Sequence, residues 1–229
     1  MKLSSTNQLG VIVAVYDELK DVLESPLYEW QLLGVNRYFS AKFNILVVVS
    51  GIGKANAAFA LGRIVTYVNE VWIVGTSGGL GDEPVGSMYL STEFVEHDMD
   101  ATGLGFAKGV TPCSEMEHFL ISNPPIETVG KIKDTCSSMG ISLKYARTMS
   151  GDQFIIDPQV VARCRNEFAV HLVDMESAAV AKICKREGLP VLALRTVSDN
   201  ANHDAGNNWV EYVKQSSQTF HLILSKLLS

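Results

Sequence analysis

Residues 44–68 read NILVVVSGIGKANAAFALGRIVTYV, and this stretch decides the fold. Asn44 to Val49 is an apolar run without in–out alternation, the pattern of a strand buried on both faces. Ser50-Gly51-Ile52-Gly53 breaks it. From Lys54 to Val68, Ala57, Ala58, Leu61, Ile64, Val65 and Val68 recur on one face, which predicts a helix rich in small residues. A strand, a glycine turn and a helix in that order form one repeating unit of a sheet covered by helices.

The same theme continues on either side. Leu9–Val15 is a continuous apolar strand candidate, followed by the acidic turn Tyr16-Asp17-Glu18. Glu70–Val74 predicts a further buried strand that ends in Gly75-Thr76-Ser77-Gly78-Gly79, and Ser87–Glu96 another. Pro125 to Ser138 reads as a helix with proline at its start and Gly140 as its stop. Ala169–Asp174 is a short strand, Met175–Glu187 a helix stopped by Gly188 and Pro190, and Val191–Val197 a buried strand. Asn208–Leu228 closes the chain as an amphipathic helix, with Trp209, Val213, Phe220, Leu224 and Leu227 in register. No internal repeat, low-complexity tract or Pro/Gly linker interrupts the series. The expectation is one α/β domain over residues 1–229, a central mixed β-sheet flanked by helices.

Composition narrows the function. The 229 residues include 19 Lys and Arg against 25 Asp and Glu, a net charge of −6, without a basic cluster. Phosphate neutralisation dominates nucleic-acid binding, so nucleic acid is excluded as a partner. The longest apolar run, Ile45–Val49, is far below the ~18 residues a membrane span needs. The run from Val11 to Tyr16 stops at Asp17 without a small-residue cleavage site, so it is not a signal peptide. Cys113, Cys136, Cys164 and Cys184 lie far apart with no C-x-x-C, which reads as reduced structural thiols in a cytoplasmic protein. His97-Asp98-Met99-Asp100 reads as polar packing at a strand end; no metal and no cofactor is expected. The charged fraction of 19% is below the usual ~25%, a hint of surface buried by self-association.

Ligands of such folds bind beyond the carboxyl ends of the strands. The apolar runs end in Asp17-Glu18, Ser50-Gly-Ile-Gly-Lys54, Gly75-Thr-Ser-Gly-Gly79, Asp174-Met175-Glu176 and Arg195-Thr-Val-Ser-Asp199. Carboxylates therefore converge on one sheet edge, interleaved with glycines that let a ligand approach the backbone. Each has a plainer reading: Asp17 or Asp199 alone is an ordinary helix cap, and Glu176 suits a helix start on electrostatic grounds. Gly51-Ile-Gly53 lacks the third glycine of a dinucleotide fingerprint, and Val48 stands where a P-loop has its first glycine.

Taken together, Ser50-Gly-Ile-Gly-Lys54, Ser150-Gly-Asp-Gln-Phe-Ile155, Val173-Asp-Met-Glu-Ser-Ala-Ala179 and Arg195-Thr-Val-Ser-Asp199 are more specific. Over nearly its whole length the chain resembles the methylthioadenosine/S-adenosylhomocysteine nucleosidases of the purine nucleoside phosphorylase superfamily. The resemblance implies a nucleoside phosphorylase-like fold and hydrolysis of the N-glycosidic bond of a small-molecule adenine nucleoside, with water as the nucleophile. It assigns Asp199 as the acid that protonates the leaving purine and Glu18 as the base that activates water, with Asp17 as the alternative. Thr76 and Arg195 help hold that water, Glu176 grips the ribose hydroxyls, and Met175 packs on the sugar. Phe154 stacks on adenine, backbone groups near Ile155 read the base edge, and Ser198 belongs to the Ser-Asp motif at the base. Ile52 and Trp209 line the apolar side, while Leu104 and Pro112 reach the pocket of a neighbouring subunit, which implies a homodimer.

Departures from the family pattern lie mainly around the group on the ribose 5′ carbon. Tyr16 is expected in the pocket wall beside Glu18, Thr76 supplies the hydroxyl where the pattern has serine, Asn202 replaces a frequent Asp, and Trp209 replaces a frequent Phe. Two other readings stay open. A phosphorylase would use phosphate as nucleophile, which needs convergent N–H groups and arginines; a silent nucleoside-binding protein would need neither acid nor base.

Overall fold

The computed structural model describes residues 8–112, 119–202 and 205–228; Cys113 lies outside them. In chain order the elements are β1 (Leu9–Val13), a 3-10 turn (Tyr16–Leu19), α1 (Lys20–Leu23), β2 (Gln31–Leu32), β3 (Arg37–Ser40), β4 (Ile45–Val49), α2 (Lys54–Gly62), β5 (Glu70–Gly79) and β6 (Met88–Glu96). There follow β7 (Leu120–Ile121), α3 (Ile126–Ser138), β8 (Leu143–Ser150), α4 (Pro158–Phe168), β9 (Leu172–Asp174), α5 (Ser177–Glu187), β10 (Val191–Asp199) and α6 (Ala205–Leu228).

β1 pairs in parallel with β4 on one side and β5 on the other. Both faces are covered, which is why these strands do not alternate. Val11, Val13, Val47, Val49 and Val74 pack with Phe220, Ile223 and Leu224 of α6 and Ile132 and Cys136 of α3. Their neighbours Ile12, Leu46, Val48 and Ile73 pack with Ala57 and Leu61 of α2 and Ala178 and Ala181 of α5. Small residues on those two helices let them sit close to the sheet and to each other.

The sheet is mixed, as expected, and part of it closes on itself. β5 pairs in parallel with β10, β10 antiparallel with β6, β6 in parallel with β8, β8 in parallel with β9, and β9 antiparallel with β5. This circuit is a small barrel joined to the open half of the sheet through β5.

Two element bounds differ from expectation for identifiable reasons. The helix from Lys54 ends at Gly62, and the β-branched run after it turns into a 3-10 segment at Val65–Tyr67. Ile64 and Val68 still bury, closing on the bare Cα of Gly10 in β1, where a Cβ would meet Val68 Cγ1 at 3.0 Å. The strand from Glu70 runs on through Gly79, because Gly75–Ser77 continue the ladder with Arg195–Val197 and Gly78–Gly79 join β9.

Candidate active site

The carboxyl ends of β1, β5, β9 and β10 surround a cavity of about 440 Å³. Its lining includes Glu18, Ile52, Thr76, Phe154, Ile155, Met175, Glu176, Ser198, Asp199 and Trp209. Ala14, Val15, Ser77, Gly78, Gln153, Val173 and Asp174 complete the wall. Among the described residues, none that lines the cavity is Lys or Arg.

Glu18 enters from the 3-10 turn after β1. That turn sends Asp17 to solvent and Glu18 inward, where it is 3% exposed. Its Oε1 accepts from the backbone N–H and the hydroxyl of Thr76, both at 2.7 Å, and Oε2 accepts from Val15 N–H at 3.2 Å. Gly75 makes the approach possible: with φ of +146°, it leaves bare the space where a Cβ would lie 2.8 Å from Glu18 Oε1 and 2.9 Å from Arg195 Nη1. Tyr16 does not join the cavity wall. Its hydroxyl donates to Glu24 Oε1, and Val15 takes the place beside Glu18.

Asp199 ends β10, buried at 3% exposure. Ala201 N–H donates to Oδ1 at 2.8 Å and the Ser198 hydroxyl to Oδ2 at 2.7 Å. Burial raises its pKa above the ordinary aspartate value, and the two hydrogen bonds oppose this only in part. A buried carboxyl that retains its proton can serve as an acid.

Glu176 caps α5 and accepts from Gly53 N–H at 2.9 Å. Burial, reinforced by the charge of Asp174, pushes its pKa up to about 7. Arg195 lies 4.0 Å from Glu176 and acts in the opposite direction. Arg195 itself is placed behind the cavity wall and not in it. It is 1% exposed, donates to Asp174 Oδ2 at 2.7 Å and Ser177 Oγ at 2.8 Å, and faces the Thr76 carbonyl at 3.4 Å. Asp174 also accepts from the hydroxyls of Ser150 and Ser177 and from the N–H groups of Glu176 and Ser177. This buried pair fixes the first turn of α5, and with it Glu176.

Phe154 and Ile52, which also line the cavity, are about half exposed. Their two segments are tied together: Lys54 N–H donates to Asp152 Oδ1 (2.8 Å), Asp152 N–H to Asp98 Oδ2 (3.0 Å), and Lys54 Nζ to Asp98 Oδ1 (2.6 Å). The His97–Asp100 motif therefore serves as a clasp, and no group of three or more metal-binding side chains is found among the described residues. Leu104, 74% exposed, and Pro112 lie outside this chain's own cavity. Sequence reading did not place Asp174, Gln153 and Ser77 in the wall. Asp174 and Gln153 stood inside quoted motifs, and Ser77 carried only its position after Thr76 as a signal.

A family model described as the phosphorylase superfamily matches residues 8–229, and the chain belongs to that superfamily. Within it, the chain is similar to the aminodeoxyfutalosine nucleosidase of Helicobacter pylori strain J99, with 28% identity covering 96% of this chain and 98% of the relative. It is 31% identical to the 5′-methylthioadenosine/S-adenosylhomocysteine nucleosidase of Halalkalibacterium halodurans, over 76% of this chain and 75% of the relative. Among solved structures, the nucleosidase of that second name from Neisseria meningitidis, in complex with methylthio-immucillin-A, superposes with a TM-score of 0.87. The identity is 27%, covering 96% of this chain and 98% of that one.

Proposed function

We propose that this chain is a nucleosidase that hydrolyses the N-glycosidic bond of 5′-substituted adenosines, methylthioadenosine and S-adenosylhomocysteine among them, releasing adenine and the free 5-substituted ribose. One observation carries the choice of water over phosphate: among the described residues, buried carboxylates line the cavity and no cation does. The names of the similar proteins support the adenosine class.

The division of labour follows inverting glycosidases. Asp199, whose pKa burial raises, donates to the purine so that it leaves neutral. Glu18 takes the proton of the water that captures the ribosyl cation. Glu176 accepts from the ribose hydroxyls, and Met175 packs on the sugar. Phe154 stacks on adenine beside backbone groups near Ile155, while Ile52 and Trp209 form the apolar side. Thr76 acts by holding Glu18, and Arg195 by holding Asp174 and tempering Glu176. Leu104 and Pro112 are assigned to the pocket of a second copy in a homodimer, which suits their position outside this one. The whole of residues 1–229 works as one domain. The buried free thiols of Cys136, Cys164 and Cys184 suit a cytoplasmic setting; no helix among the described residues is long and apolar enough to cross a membrane.

The test is adenine release from methylthioadenosine in phosphate-free buffer. Full turnover is expected there. Turnover that requires phosphate would select the phosphorylase reading, and tight binding without release the silent binder.

A further inference from the structure

Trp209 does more than line the cavity. Its indole N–H lies 3.0 Å from Thr76 Oγ1, and that same oxygen lies 2.7 Å from Glu18 Oε1. An indole nitrogen only donates, and a hydroxyl has a single proton. The bond from Trp209 occupies an acceptor site on the threonine oxygen and leaves its proton to donate to Glu18 Oε1. From these contacts we infer that Trp209 is a positioning residue for the hydrolytic step: through Thr76, it sets which oxygen of Glu18 receives the proton of water. This rests on the nucleosidase reading above and deepens it.

With the rotor locked, Glu18 Oε1 receives two donors from Thr76, the N–H and the hydroxyl. Oε2 receives only Val15 N–H, at 3.2 Å, and keeps acceptor capacity. The carboxylate is thus saturated on one oxygen and open on the other. Water bound at the open oxygen gives its proton to Oε2 as its own oxygen bonds the anomeric carbon and the purine departs. Trp209 belongs to α6, far along the chain, so the bond also links the helix that walls the apolar side of the cavity to the base. A phenylalanine, the residue the family resemblance leads one to expect there, has the ring but no donor.

The experiment is a double-mutant cycle on Trp209→Phe and Thr76→Val, reading kcat and KM for methylthioadenosine. Trp209→Phe should lower kcat about fivefold, the kinetic equivalent of one neutral hydrogen bond. Thr76→Val should lower kcat by roughly 10–100-fold, since it removes a hydrogen bond to a charged group. The double variant should match Thr76→Val within about twofold, because a relay cut at Thr76 has nothing left to lose at Trp209. Thr76→Ser, which retains the hydroxyl, should restore the sensitivity to Trp209→Phe. Equal losses from Trp209→Phe in both backgrounds, or a change confined to KM, would overturn the inference and leave Trp209 as pocket wall. An independent readout separates this from failure of the nucleosidase reading: the Trp209 indole N–H proton resonance should move upfield in Thr76→Val. An unmoved resonance overturns the relay even in a protein that releases no adenine.

Discussion

Replacing Asp199 with asparagine should separate chemistry from stability. Asp199 Oδ1 accepts from Ala201 N–H at 2.8 Å, and an asparagine oxygen can take the same bond. The amide nitrogen then faces Ser198 Oγ, which now donates to Oδ2 at 2.7 Å. Ser198 Oγ also lies 3.3 Å from the Ser77 carbonyl, so the hydroxyl can turn its proton there and accept from the amide. Every polar atom remains paired. The expected cost to the fold is within about 1 kcal/mol, a Tm change of no more than about 4 °C in a chain of this size. The proton that the proposed mechanism takes from Asp199 is gone, however. A positioned general acid contributes about 10²–10⁴ in rate, or roughly 3–5 kcal/mol of barrier, so kcat for methylthioadenosine should fall by that factor. The assays are adenine release and thermal denaturation on the same preparation. A kcat within about threefold of the parent would refute the acid assignment. A large loss of Tm would refute the hydrogen-bond exchange at Ser198.

Other perturbations follow from the same geometry. Because burial raises the pKa of Asp199, kcat/KM should fall on the alkaline side as its proton is lost; a flat profile through about pH 9 would count against an acid-limited step. The pKa of Glu176, pushed up to about 7, lies above its unfolded value, so the folded state binds a proton there that the unfolded chain does not. Stability should therefore rise as pH falls from about 7 toward 4.5, by roughly 1–3 kcal/mol, and Glu176→Gln should flatten the dependence of Tm over that window. Arg195→Met strands Asp174 without its buried partner and should cost about 3–5 kcal/mol, a Tm loss of about 6–20 °C by calorimetry. Lys54→Met opens the clasp to Asp98 and should raise KM for methylthioadenosine about threefold or more with kcat little changed; an unchanged KM would mean the clasp does not hold the rim.

The parts of the fold legible in the sequence are those buried on both faces. β1, β4, β5 and β10 show as unbroken apolar runs because clusters on either side claim alternate residues. β8 and α4 escaped notice for the opposite reason. Lys144 and Tyr145 of β8 are exposed, and α4 fully buries only Cys164 and Phe168. The cue for α4 was present in Asp157-Pro158, a cap followed by proline at the first helical position. Closure of the barrel depends on the antiparallel pairings of β9 with β5 and β6 with β10, which no local pattern encodes. In the site, spacing could not choose between Asp17 and Glu18; one step around a 3-10 turn does so, sending one carboxylate out and the other in. Tyr16 was misplaced by the same turn.

The charge arrangement of the cavity bears on how one pocket would hold the proposed acid and base and disfavour phosphate. Glu18, Asp174, Glu176 and Asp199 all reach the wall, and among the described residues Arg195 is the cation buried beside them, already engaged by Asp174. Four ionised carboxylates against a single guanidinium would repel strongly in so buried a site. The structure relieves this by unequal treatment. Asp174 receives Arg195 and four further donors, and Glu18 receives three donors. Asp199 receives two and has its pKa raised, as does Glu176. Burial therefore raises the pKa where donors are fewest, at Asp199 and Glu176. A phosphate dianion would undo this balance. Each of its charges within about 4 Å of an ionised carboxylate costs about 4 kcal/mol at an effective dielectric near 20, with no cation among the described wall residues to offset it. Water carries no such cost, so under the proposed reaction the burial that raises the pKa of Asp199 also favours water as the nucleophile.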